Sequence, residues 1–328
     1  MQHRSGHRAL SVTLIIFLLG FLIAFPLFGE EFYVEILGKV FILSIFALSL
    51  TLLVGVTGLV SLGHAAYFGV AAYAAALLTP KSAAVSIWLL MPASVLIATA
   101  AAILVGIFAI RTKGIYFIMV TLAFSQLFFY IFHDTDAGGG SDGIYLNHRP
   151  TINIGDYTLI DLAAEGRIYY LLLASLVLIY VFLKIILRSP FGKVLQGIKS
   201  NEQRMISMGY ATFYYKLAAF AIAGGLAGFA GFWHAVLFGF VTPELLAWHQ
   251  SGNVLLMVIL GGMGNIGGAI AGAVAFVGMQ ELFTDLTKHW QLLMGSVIVL
   301  AVLFMPGGIA AVPGRLGNLI YGRNQNDK

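Results

Sequence analysis

Residues 37–79 read LGKVFILSIFALSLTLLVGVTGLVSLGHAAYFGVAAYAAALLT: two apolar runs, 37–56 and 62–79, carrying a single charge, Lys39, with a neutral break between them. A helix needs about 20 apolar residues to cross the hydrocarbon of a bilayer, and each run is close to that length. Further apolar runs fall at 9–28, 87–110, 115–133, 168–187, 216–238, 250–263, 267–283 and 291–306. The last three are less distinct, because Gly261-Gly262-Met263-Gly264-Asn265-Ile266-Gly267-Gly268 interrupts them. That stretch is either a break between two short helices or a kink in one long one.

Composition points the same way. The 328 residues are 60% hydrophobic and 10% charged, against about 45–50% and about 25% in soluble proteins. Lipid is the natural solvent for the excess. The expected fold is all-α: a polytopic membrane bundle of about ten transmembrane helices with discontinuous members, in one domain over 1–328. The polar stretches 134–167 and 188–215 are too short to bury cores of their own. Run 9–28 follows Arg4 and Arg8 as a secretory signal would, but it is longer than an h-region and lacks a small-x-small cleavage site. It reads as an uncleaved first span. The absence of cysteine excludes disulfides and thiolate chemistry. The basic residues are scattered over loops, which gives no nucleic-acid surface.

Lys and Arg in short loops mark the cytoplasmic side. Residues 184–216 carry Lys184, Arg188, Lys193, Lys199, Arg204 and Lys216 against one acid, Glu202. Arg4, Arg8, Arg111 and Lys113 share that side if each of the first seven runs crosses once. The other side collects Glu30, Glu31, Glu35, Asp134, Asp136, Asp142, Asp156, Asp161 and Glu165, against the basic residues Lys39, Lys81, Arg149 and Arg167. Arg315, Arg323 and Lys328 belong with the basic set, which needs an even number of crossings. Ten spans satisfy this, with both termini cytoplasmic and 134–167 periplasmic; nine would place those three outside.

The spans hold almost no acids, Glu281 near a helix end being the exception. Proton-driven carriers bury acidic or histidine relays, so this counts against a carrier. No H-E-x-x-H pair or G-x-S-x-G elbow suggests a hydrolase. The break Gly55-Val56-Thr57-Gly58-Leu59-Val60-Ser61-Leu62-Gly63-His64 is uncharged. Such a break is tolerated in a membrane where it lines a cavity or lies within protein. On that reading Ser61, His64 and Tyr67, with Tyr73 and Gln126, border a path or its gate. Gly58, Gly63, Gly264, Gly267 and Gly268 then mark helix breaks. The alternative is an interfacial turn with His64 capping the next helix, and Ser125 and Gln126 hydrogen-bonding a neighbouring helix. His234 and His249 are expected at the outer interface. Gly224 with Gly228, and Gly264 with Gly268 and Gly272, have the spacing of closely packed helices.

Ser189-Pro190 should stop the sixth helix. Val194, Ile198 and Met205 then recur at helical spacing, predicting one amphipathic helix over about 191–207, with Gly209 suited to its end. Glu202 is expected to pair with Arg204 or with a basic residue on a partner. The same segment is also readable as a helix lying on anionic lipid.

Five stretches in order resemble the permease subunits of branched-chain amino acid ABC importers, the LivM type. They are Gly58-Leu59-Val60-Ser61-Leu62-Gly63-His64-Ala65-Ala66-Tyr67-Phe68-Gly69, Arg111-Thr112-Lys113-Gly114-Ile115-Tyr116-Phe117, and Gly138-Gly139-Gly140-Ser141-Asp142-Gly143. Ser189-Pro190-Phe191-Gly192-Lys193 and Leu260-Gly261-Gly262-Met263-Gly264-Asn265-Ile266-Gly267-Gly268 complete the set. One departure is that Gln203, Arg204 and Met205 follow Glu202 where members often carry an E-x-A-A-like run. The resemblance implies an ABC importer permease fold and transport of leucine-like amino acids, with relatives handling urea, amides or aromatic acids. It implies four kinds of partner: a second, homologous permease, two cytoplasmic ATPase subunits, a periplasmic binding protein and the lipid of a bacterial inner membrane. Residues 188–216, with Lys193, Lys199, Glu202, Arg204 and Gly209, would couple to the ATPases. The sequence has no G-x-x-x-x-G-K-[ST] loop. ATP and magnesium are therefore expected on the partner subunits, with no enzyme activity, cofactor or metal on this chain. A stand-alone channel or secondary carrier, or a non-transporting scaffold, are the competing expectations.

Overall fold

A computed structural model describes residues 20–81, 84–154, 157–161, 165–305 and 307–311. Most of the run 9–28, both termini and Asp156 lie outside the described residues. Helix α1 (Glu31–Thr51) continues into a π-helical turn, Leu52–Thr57. After the break come α2 (His64–Leu78), α3 (Ile87–Ala109), α4 (Ile115–His133) and α5 (Glu165–Arg188). Two short helices follow, α6 (Pro190–Ser200) and α7 (Glu202–Ser207). The chain ends its described part with α8 (Thr212–Phe238), α9 (Trp248–Gly261), α10 (Ile266–Leu286) and α11 (Trp290–Phe304). Seven of the described helices are long and apolar enough to cross a membrane, and α2 is a shorter apolar helix. Helices suit this setting because each satisfies its backbone polar groups internally where no water is present. The expected spans from 37 onward fall on these helices. The interruption expected at 261–268 is a break at 262–265 between α9 and α10, not a kink.

Helices α1 and α8 form the centre, with α8 packed along α1, α2 and α3. Small residues permit this: a Cβ on Gly224 would meet Ala102, and one on Gly228 would meet Ala98 and Ala71. At the periphery, α4 turns Ile115, Met119 and Leu127 outward, and α11 turns Leu292, Leu303 and Phe304 outward. An apolar stretch of α1 is 89% buried, whereas the corresponding stretch of α4 is 17% buried. Peripheral helices therefore offer their apolar side chains to lipid or to another subunit.

The connections segregate to two ends of the bundle. At one end, β1 (Ile144–Tyr145) follows α4 and pairs antiparallel with β4 (Phe240–Val241), which follows α8. A hairpin of β2 (Thr151–Ile154) and β3 (Tyr157–Asp161) sits beside them, linked to the start of α3 through Ser86 and Thr151. At the other end lie α6, α7, the π turn and the turns joining α3 to α4 and α9 to α10.

The expected helix over 191–207 is in fact two. Asn201 is extended (φ −161°, ψ 99°) and ends α6, and its Oδ1 accepts the Arg204 N–H at 2.9 Å, capping α7. Ser189 caps α6 likewise, accepting the Gly192 N–H at 3.3 Å, with Pro190 at the first helical position.

Candidate functional site

The break after α1 begins in its hydrogen bonding. Thr51 and Thr57 donate their hydroxyls back to Ala47 O and Leu53 O, a habit that bends helices. The ladder widens into the π turn and stops at Gly58, whose φ of +76° is a left-handed conformation natural to glycine. Isolated π turns recur at functional sites. The next N–H groups are taken by side chains: Leu62 N by Thr121 Oγ1 at 3.3 Å, Gly63 N by Ser61 Oγ at 3.2 Å, and Ala65 N by Ser251 Oγ at 2.8 Å. Two helices, α4 and α9, thus hold the break together with its own Ser61, although it has no regular structure.

His64 is the first residue of α2 and fully buried, but it does not cap that helix. Its Nε2 lies 2.8 Å from Ser49 Oγ, and the Ser49 hydroxyl donates to Phe46 O at 2.6 Å. That hydroxyl has one proton and spends it on the carbonyl, so Nε2–H is the donor to Ser49 and Nδ1 is the bare acceptor. His64 thereby pins α2 to α1. Its ring stacks on Phe46 at 5.6 Å and meets Tyr67 edge-on at 5.9 Å. Ser61, His64 and Tyr67 are therefore brought together. Tyr73 stands apart, stacked on Phe132 at 4.2 Å, and Gln126 lies on α4 with its Nε2 buried and without a partner among the described residues. Gly267 and Gly268 are not in a break but in the first turn of α10, where Asn265 Oδ1 accepts both N–H groups.

The second part of the site reaches the break from α6. Lys199 Nζ donates to Gly55 O at 2.6 Å, and the side-chain methylenes of Lys199 lie along Gly58. Terminal carbonyls of a helix lack partners within it, and Lys199 supplies one. On the opposite side, a Cβ on Gly55 would come within 3.1 Å of the Gly264 backbone. The two breaks, 55–64 and 262–265, therefore touch directly beside the Lys199 contact.

Glu202 does not pair with Arg204 but with other residues of this chain. Its carboxylate binds Lys216 on α8 and Lys113 in the α3–α4 turn at 3.6 Å, and accepts from Thr212 Oγ1 at 3.2 Å. Arg204 instead gives its backbone N–H to the Asn201 cap. Partial burial alone would raise the Glu202 carboxyl, but the hydrogen bond and charge of Lys216, the charge of Lys113 and the Thr212 bond outweigh it and hold it below the ordinary value. This clasp ties α7 to the adjoining ends of α3, α4 and α8. Gly209, with φ +87°, closes the turn after α7, and a Cβ there would meet nothing within 4 Å.

A cavity of about 170 Å³ opens between α1, α2, α8, α9 and α10, lined among others by Lys39, Phe46, Phe68, His234, Gln250, Asn253 and Gln280. None of the five path residues expected from sequence borders it; their neighbours Phe46 and Phe68 do. His234 was expected at the interface, but it faces this cavity with Nδ1 buried and without a partner among the described residues. His249 is at the surface, 3.2 Å from Glu244. Ser49, Thr121 and Ser251 had no distinguishing sequence signal.

A bundle of apolar helices interrupted by two touching breaks, one gripped by an amphipathic segment at the bundle's end, defines a multi-pass membrane protein of the permease class. The family described as branched-chain amino acid transport system / permease component matches residues 32–304, and the chain belongs to it. It is 30% identical over 306 residues to the high-affinity branched-chain amino acid transport system permease protein LivM of Salmonella typhimurium, covering 88% of this chain and 72% of that protein. The LivM protein of Escherichia coli K12 is 30% identical over 314 residues, 90% of this chain and 74% of that one. A probable LivM of Methanocaldococcus jannaschii is 26% identical over 154 residues, 40% of this chain and 43% of the relative. No solved structure matches the chain significantly.

Proposed function

We propose that this chain is the permease subunit of an ATP-binding-cassette importer that carries branched-chain or related amino acids across a bacterial inner membrane. It works with a second, homologous permease, two cytoplasmic ATPase subunits and a periplasmic binding protein. The positive-inside rule puts the α6–α7 end in the cytoplasm and the β-ribbon end in the periplasm. The observation that carries the reading is the Lys199–Gly55 bond, because it joins the element available to an ATPase to the break in the membrane. A push on α6–α7 reaches the π turn through Lys199, and passes to the α9–α10 break through Gly55 and Gly264. The Glu202 clasp keeps α7 seated on α8 while this happens.

Docking has an apolar surface to use. Ile206, Met208 and Tyr210 are exposed at the tip of this segment, beside a groove of about 520 Å³ lined by Phe191, Val194, Met205 and Tyr215. Met208→Glu places a charge there without straining the backbone, which Gly209→Trp would not achieve at a positive φ. Recovery of ATPase subunits with the tagged permease in mild detergent should fall on the order of tenfold, with membrane insertion unchanged. Undiminished recovery would contradict the docking role, and a stand-alone carrier or channel would take up substrate with no ATPase present.

A further inference from the structure

We infer that the cavity among α1, α2, α8, α9 and α10 is a binding site, within a single permease chain, for a small apolar α-amino acid whose carboxylate engages Lys39. The proposal deepens the importer reading and rests on it for the place of the site in transport. Its starting point is an ion pair between two apolar helices: Lys39 Nζ on α1 lies 3.0 Å from Glu281 Oε1 on α10. Charged groups on membrane-spanning helices are rare and mark substrate or ion pathways. As a mere staple this pair is poor, since its side chains are 30% and 37% exposed and an open pair contributes little.

The exposure has a destination. Lys39 lines the cavity and Glu281 does not, so Lys39 is the one charged group on its wall among the described residues. Gln250, Asn253 and Gln280 add neutral amides, able to accept from an ammonium and donate to a carboxylate. Apart from the His234 ring, the rest of the described wall is apolar, with Phe46 and Phe68 stacked at 4.6 Å. A cavity of about 170 Å³ has room for roughly six waters, which suits a small solute and excludes a peptide. Cation, amides and an aromatic floor together match an amphipathic carboxylate bearing an amino group. Glu281 holds the ammonium in place until the ligand carboxylate competes for it. The floor also communicates: Phe46 stacks on His64, which is bonded to Ser49 beside the break.

The test uses the full chain in lipid nanodiscs with its co-purifying subunits and radiolabelled L-leucine. Saturable binding is expected, displaced by 4-methylpentanoate, which keeps the carboxylate, and not by 3-methylbutylamine, which lacks it. Lys39→Gln should lower leucine affinity on the order of tenfold or more, whereas Glu281→Gln, which frees Lys39, should retain it. Gln280→Met, close in size and without the amide, gives a second readout and should weaken binding several-fold. Displacement by the amine, unchanged affinity in Gln280→Met, or equal loss of binding and of thermal stability in Lys39→Gln and Glu281→Gln would overturn the site. The importer reading is scored separately. No leucine binding with the ATPases attached overturns the site alone; Lys39-dependent binding with no ATPase in the membrane extract overturns the importer reading alone.

Discussion

Lys216 is nearly fully buried, and its ammonium depends on Glu202 for a counter-charge. Neutralising the acid leaves that charge stranded, whereas removing the lysine leaves a carboxylate that still has Lys113 and Thr212. Glu202→Gln should therefore cost about 2–4 kcal/mol, and Lys216→Met about half as much or less. Both are measurable by thermal unfolding in detergent. The pH dependence has a definite sign. The Glu202 carboxyl is held below its ordinary value of 4.5, so its contribution is complete above that value and is lost as pH falls through the lower folded value. Acidification from pH 5 should destabilise the wild type more than Glu202→Gln. Glycines separate in the same assay. A Cβ on Gly231 would overlap the Phe68 carbonyl, whereas one on Gly252 meets nothing within 4 Å. Gly231→Ala should lower stability by about 1–3 kcal/mol, and Gly252→Ala, within helix α9, should raise it by up to about 1 kcal/mol. Such distinctions are invisible in the sequence, where both are glycines in apolar runs. Ser49, Thr121 and Ser251 were illegible for a related reason: their partners lie 15, 59 and 186 residues away.

Elements were more legible than residues, because a membrane span is written as a continuous apolar run of fixed length. The runs 87–110 and 115–133 fall within a residue of α3 and α4. The gap between α6 and α7 was not legible, since Val194, Ile198 and Met205 keep helical phase across it. Periodicity reports which side chains share a face; it does not register one extended residue. Asn201 makes the division through its cap. Asn201→Ala should destabilise α7 by about 1 kcal/mol, while Asn201→Asp, which retains the accepting oxygen, should not. Proteolysis of the 189–211 segment in the purified protein reports the difference: faster cleavage is expected for Asn201→Ala only. Equal cleavage in both variants would mean that the division of the two helices does not depend on the cap.

At the scale of the whole molecule, the charge pattern and the packing agree that loops fall into two sets. Ser141 and Gln203 are exposed at opposite ends of the bundle, and the chain contains no cysteine to interfere. An impermeant thiol reagent should label Ser141→Cys in intact spheroplasts and Gln203→Cys only after lysis; the reverse would invert the topology. Between those ends, on the proposed importer mechanism, force from the ATPase enters the membrane through the contact of Lys199 with Gly55. Lys199→Met keeps the methylenes along Gly58 and removes the bond to the carbonyl. The direct measurement is ATP-dependent leucine uptake into proteoliposomes holding the assembled permeases and ATPases, supplied with binding protein. Lys199→Met should retain its ATPase subunits and hydrolyse ATP while uptake falls on the order of tenfold or more, the loss of one charge-assisted bond. Uptake at the wild-type rate from the same assembled complex would contradict it.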